Sequence, residues 1–147
     1  MTAEKAALRL IAKAEQNSQG LAVKLERRGY DSGTVKAVIS DLLAKGLLDD
    51  GRYAELWIRS RLSLRKAVSP QWLLIALGKR GINRIFSFRA LQKVLDPETE
   101  YSLLLRYLDK TRISESKGTL SSRAQLKNEG FSSATLDRYY DEQGSID

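Results

Sequence analysis

"KLERRGY" (residues 24–30) ends in a glycine followed by a large apolar residue, and the chain repeats that pattern twice. "ALGKRGI" (76–82) and "QLKNEGF" (125–131) share the leucine, the three intervening residues, the glycine and the bulky apolar neighbour. The glycines are Gly29, Gly81 and Gly130, spaced by 52 and 49 residues. A fixed spacing of this size is the mark of a repeat architecture. Each glycine suits a left-handed position that closes a helix, and Tyr30, Ile82 or Phe131 can fold back onto the helix just ended.

Other positions keep the same step. Twelve residues before the glycines lie Asn17, Ser69 and Gly118, types favoured as helix N-caps. Pro70 follows Ser69 at a first helical position, where its missing N–H costs nothing. Four residues before the glycines lie Leu25, Leu77 and Leu126, and eight before them lie Leu21, Leu73 and Ser122. Two of the three units therefore pair leucines one helical turn apart. A second helix starts after each glycine, with Asp31 or Ser32, Asn83, and Ser132 or Ser133 as caps. Its apolar positions include Val35, Val38, Ile39 and Leu42, then Ile85, Phe88, Leu91 and Leu95, then Leu136, Tyr139 and Tyr140. Leading helices are expected over 4–15, 50–66 and 97–112, the last opened by Asp96, Pro97 and Glu98.

The expected fold is all-α, with three tandem three-helix repeats at 1–49, 50–96 and 97–147. Units this small bury little apolar surface alone and stack on their neighbours, which predicts an elongated, curved array.

Composition narrows function. The 147 residues include no cysteine and no histidine, and 29% are charged. Thiol chemistry, thiolate metal sites and the commonest general base are thereby removed. No apolar run approaches the ~18 residues of a membrane span, and "MTAEKAALRL" lacks a signal-peptide block, which predicts a cytoplasmic protein.

The net charge of +7 is unevenly spread. Residues 52–93 hold Arg52, Arg59, Arg61, Arg65, Lys66, Lys79, Arg80, Arg84, Arg89 and Lys93 against Glu55 alone. The first unit is nearly neutral and the last is acidic. Such a gradient points to an electrostatic surface for an anionic partner.

The stretch "GLLDDGRYAELWIRSR" (46–61) is similar to the Leu-Asp-Asp-x-[Arg/Lys]-[Tyr/Phe]-Ala segment of the RecX family of recombinase regulators. Leu48, Asp49, Asp50, Arg52, Tyr53 and Ala54 carry the match. "KLERRGY" and the later "KRGI" and "EGF" extend the resemblance over about Ala6 to Tyr140. Three positions depart from the family pattern. A glutamate that usually closes a capping box is Gly20, a usual glycine is Ser69, and a usual glutamate is Ala76. The resemblance implies a non-enzymatic protein, without cofactor or metal, that lies in the groove of the RecA–DNA filament. It implies damping of filament growth, ATP hydrolysis and strand exchange.

Asp49 and Asp50 are adjacent, so they do not face each other on a helix, and no other acidic cluster joins them. A two-metal nuclease needs several converging carboxylates, with ions roughly 3.5–4 Å apart. These aspartates are instead expected to cap a helix, one of them pairing with the dipole or with Arg52.

In a helix over 50–66, Tyr53, Trp57, Ser60 or Arg61, and Leu64 form one stripe with Ala54, Ile58 and Leu62 beside it, and the aromatics and aliphatics should face inward. Arg52, Arg59 and Lys66 should line another edge, and Arg61 and Arg65 should pair one turn apart. With Lys79, Arg80, Arg84 and Arg89 they form the expected surface for the filament and for DNA phosphates. Trp57 and Trp72 are expected in the core, with stacking on bases as the alternative.

A monomeric filament regulator is the function the resemblance implies. A stand-alone DNA-binding module is the alternative, with Gly81-Ile82-Asn83 as a turn before a recognition helix. In that reading Ile85, Phe86, Phe88, Leu91, Val94 and Leu95 would leave few exposed positions to read bases.

Overall fold

The computed structural model describes residues 1–113 and 119–144, of Thr119 only the backbone. The described residues form helices and connecting turns without a strand. The helices are α1 (Ala3–Lys13), α2 (Ser18–Arg27), α3 (Ser32–Ala44), α4 (Asp50–Ser63), α5 (Pro70–Lys79), α6 (Arg84–Val94), α7 (Pro97–Thr111), α8 (Thr119–Asn128) and α9 (Ser133–Gly144).

Local chemistry sets most helix starts. The Asn17 side chain accepts from the Gly20 N–H at 2.7 Å, Asp31 from Thr34 at 2.7 Å, and Asp49 from Arg52 at 2.9 Å. Ser69 serves α5 through the Trp72 N–H at 3.1 Å, Asn83 serves α6 through Ile85 at 2.7 Å, and Asp96 serves α7 through Thr99 at 2.8 Å. Each bond satisfies an N–H that the helix itself leaves unpaired. The expected cap at Gly118 lies outside the described residues. The glycine stops also form, with φ of +96° at Gly29, +88° at Gly81 and +97° at Gly130. The N–H groups of Tyr30, Ile82 and Phe131 bond back to Leu25, Leu77 and Leu126.

Three apolar clusters follow the chain. The first holds Ala6, Ala7, Leu21, Leu25, Val35, Leu42 and Leu48. The second holds Ala54, Ile58, Leu73, Leu77, Ile82, Ala90, Leu91 and Val94, and the third is built around Leu103, Leu104, Leu126, Phe131 and Leu136. Leu62, Val68 and Leu95 pack against both the second and the third.

The middle helices of neighbouring clusters meet end to end. The Gln71 N–H at the start of α5 donates to the Glu129 carbonyl at the end of α8, 2.9 Å away. One helix's spare donor thus meets another's spare acceptor. A Cβ on Gly130 would lie 3.0 Å from that Gln71 nitrogen. The end of α5 lies against the start of α2 in the same way, and a Cβ on Gly81 would fall 2.8 Å from the Gln19 Cβ. At these two junctions glycine is needed for its conformation and for its lack of a side chain. Stacking of this kind extends the molecule. Its accessible surface is 9109 Å², against about 7,500 Å² for a compact monomer of 16.5 kDa.

Several expectations are corrected. Helix α4 stops at Ser63, because the Leu64 and Arg65 N–H groups turn back to the Arg61 and Leu62 carbonyls and Arg65 takes φ +55°. Arg65 and Lys66 therefore leave the helix, which dissolves the Arg61–Arg65 pairing and cuts the Arg52–Arg59–Lys66 edge short. Leu64 is exposed. On α6 the buried stripe is Ser87, Ala90, Leu91 and Val94, whose small members fit against α4, so Ile85, Phe86 and Phe88 face solvent.

Candidate nucleic-acid interface

The acidic pair sorts itself by hydrogen bonding. Asp49 caps α4, while Asp50 accepts the Ser18 N–H at 2.7 Å and the Ser18 hydroxyl at 2.5 Å. Asp50 thus holds the start of α2 rather than pairing with Arg52. Arg52 faces Glu15 at 3.3 Å. Among the described residues no group of three or more acidic side chains is placed to hold a metal ion.

Trp57 organises the basic surface. Its ring is half-buried on α4 and packs against the second cluster. The Arg61 guanidinium carbon lies 5.1 Å from the ring centroid and that of Arg80 lies 5.3 Å away. Arg80 also donates to the Tyr53 hydroxyl at 3.0 Å. Guanidinium groups at these distances are attracted by the ring's quadrupole and held in fixed places. Trp72 stacks on Trp57 with centroids 6.3 Å apart and planes 19° from parallel. It is 46% exposed, which corrects its expected place in the core. The apolar side of α5 is already filled by Leu73 and Leu77, leaving the Trp72 ring at the rim.

The remaining basic residues are distributed around this centre. Arg59 lines a shallow cleft with Lys93 and Asp96. The Thr99 backbone and side chain hold the Asp96 carboxyl below its usual range, and Arg59 adds to the effect. Lys93 pairs with Glu55 at 3.3 Å. Arg84 borders a groove between α5 and α6 with Gln71, Leu74, Ile75 and Ile82. Lys66, Lys79 and Arg89 are exposed. The structure therefore gathers Arg61 and Arg80 onto one aromatic face, with Arg52 tied to the first cluster beside it. It does not join Arg59, Arg65, Arg84 and Arg89 into one continuous patch.

Sequence reasoning passed over Glu15 and Arg106 as members of this surface, and counted Lys93 in the charge gradient without assigning it a contact. The only signal for Arg106 was a lone charge inside the apolar run "SLLLRYL".

No family model matches the chain. A regulatory protein RecX from Mycobacterium leprae is 31% identical over 135 residues, covering 88% of this chain and 78% of the relative. This chain belongs to the RecX family. A regulatory protein RecX from Treponema pallidum is 37% identical over 110 residues, and one from Halorhodospira halophila is 44% identical over 77. The matched segments span 66% and 47% of those two relatives' lengths. The crystal structure of RecX from Lactobacillus salivarius superposes with a TM-score of 0.69 over 95% of this chain and 93% of that one, at 21% identity. A second RecX crystal structure gives 0.72 over 95% and 70%, at 20% identity. These likenesses show the all-α fold of the RecX proteins. The sequence relatives carry the regulatory name, and the described residues contain no helix long and apolar enough to cross a membrane.

Proposed function

We propose that this RecX-family protein binds a RecA–DNA filament as a monomer and inhibits the recombinase's ATP hydrolysis and strand exchange, without catalysis or cofactor, in the cytoplasm. The observation that carries the reading is the arginine–tryptophan surface of the second unit, where Arg61 and Arg80 flank Trp57 beside an exposed Trp72. Positive charge of this density favours fast, salt-sensitive association with phosphates. The extended surface supports a groove-lying mode, with units 1–49, 50–96 and 97–147 touching successive protomers. Arg52, Arg59, Arg61, Arg80, Arg84 and Arg89 are the proposed contacts, with Arg65, Lys66 and Lys79 at the margin.

The test is charge reversal of Arg59, Arg61 and Arg80 to glutamate, read as recombinase ATPase on single-stranded DNA. A folded triple variant, checked by circular dichroism, should lose inhibition. Full inhibition by that variant removes the assigned surface.

One observation favours the stand-alone DNA binder as a second reading: α6 is more exposed than its sequence suggested, and Arg84 and Arg89 lie on it. Against it, Ile85, Phe86 and Phe88 share the exposed part of α6, and such side chains carry no hydrogen-bonding groups for base edges. Tight, sequence-dependent duplex binding without a recombinase would favour this reading.

A further inference from the structure

The residues that close the helices reveal two exceptions. Glycine occupies the left-handed position after α2, α3, α5 and α8, at Gly29, Gly46, Gly81 and Gly130. After α4 the position belongs to Arg65 and after α7 to Arg112, each with φ +55°. A residue with a Cβ is strained there, and such strain concentrates where a side chain is needed.

Arg65 borders a cleft of about 500 Å³ between the end of α4 and the face of α7, lined also by Leu62, Ser63, Ser102 and Arg106. Among the described residues its polar lining is two guanidiniums and two hydroxyls without a carboxylate, and the Ser63 hydroxyl donates to the Ser60 carbonyl at 2.7 Å. The Arg106 Nε–H is shut off from solvent and has no acceptor among the described residues. Buried donors are nearly always paired, so an anion seated against the Arg106 guanidinium, with a small shift of the groups that seal its Nε–H, would supply the acceptor this donor lacks. The carbonyl end of α4 opposes an anion with about half a charge, which two full guanidinium charges outweigh.

We propose that this cleft binds a phosphate oxyanion, gripped by Arg65 and Arg106 and completed by the Ser102 hydroxyl. Two sources share that chemistry: a phosphodiester of a nucleic-acid strand crossing between the second and third units, and free phosphate. The site needs no recombinase to fill it, so its test is separate from that of filament binding.

The experiment follows the Arg106 Nε–Hε cross-peak by NMR while inorganic phosphate replaces chloride at constant ionic strength. A second titration uses a short single-stranded oligothymidylate. The expected result is a saturable shift with a dissociation constant on the order of 1 mM or tighter. Arg65→Gly should melt at a higher temperature than the parent, because the strain is relieved, yet bind phosphate about tenfold more weakly. Because that variant favours the fold, misfolding does not explain its weaker binding. A shift reached at much lower oligonucleotide than phosphate concentration identifies the strand as the ligand; a shift with phosphate alone identifies a small anion. The proposal is overturned if phosphate moves the cross-peak no more than chloride does and the oligonucleotide leaves it unmoved.

Discussion

Asp50 and Ser18, 32 residues apart, are joined twice: the carboxylate accepts the serine's backbone N–H at 2.7 Å and its hydroxyl at 2.5 Å. The first acidic residue of α4 thereby secures the first turn of α2, at the positive end of that helix. This is a latch between the helices that carry the first and second apolar clusters. The second and third units share apolar side chains instead, through Leu62, Val68 and Leu95.

Removing the latch is expected to loosen the first unit selectively. Asp50→Ala should cost about 2 kcal/mol, the range for hydrogen bonds to a charged group, measured by urea denaturation. A cycle with Ser18→Ala should show strong coupling between the two changes. Amide exchange should rise first in α1–α3. Uniform acceleration throughout the chain would contradict a local latch.

The three glycine stops should respond unequally to alanine. At Gly29 nothing lies within 4 Å of the added carbon, so only the left-handed backbone resists, at about 1–2 kcal/mol. Gly130→Ala adds a clash with the Gln71 backbone and Pro70, and Gly81→Ala drives a carbon into Gln19. Thermal melts should rank Gly29→Ala as the mildest of the three.

Capping and glycine stops were legible in the sequence because each depends on neighbours within four or five residues. Asn17, Asp31, Asp96, Gly81 and Gly130 needed no tertiary context. Asp50 was misread because its partner lies in another unit, and both of its candidate roles were local. Trp72 was misread for a related reason: helical spacing shows which residues are apolar, whereas the leucines that fill a core first decide which one remains outside. The surface was legible as a charge gradient. Its division around Trp57, Asp96 and Arg106 depended on packing between units.

Ionisation in the third unit gives a pH signature. The Tyr101 hydroxyl donates to Glu142 at 2.5 Å, and Arg138 bridges Glu142 and Glu98 above the Tyr101 ring. Burial, aided by the Glu142 hydrogen bond, pushes the Tyr101 hydroxyl up to about 12. A raised phenol value favours the folded state while the phenol keeps its proton, so this stability is complete below about pH 10 and lost as pH rises toward 12. The Tyr101 hydrogen bond and Arg138 lower the Glu142 carboxyl. That contribution is present above the ordinary carboxylate value and lost as pH falls through the lowered one. Tyr101→Phe should flatten the alkaline limb of stability against pH. An unchanged alkaline limb would contradict this assignment.

Both tryptophans of the chain sit in the Trp57–Trp72 pair, so tryptophan fluorescence, excited selectively over that of the six tyrosines, reports on this surface alone. Single-stranded oligonucleotides should quench it, increasingly so at lower salt. Trp72→Ala should weaken binding by about 1–3 kcal/mol if a base stacks there, whereas Trp72→Phe should retain much of it. Equal affinity for all three proteins would place the contact elsewhere.

The most direct measurement is the steady-state ATPase of the host RecA on single-stranded DNA, titrated with this protein and with the Arg59→Glu/Arg61→Glu/Arg80→Glu variant at two salt concentrations. A filament regulator acting through its second unit predicts inhibition well below stoichiometry with DNA, weakening as salt rises and absent in the folded variant. Undiminished ATPase at every ratio, with filaments confirmed present, would contradict it.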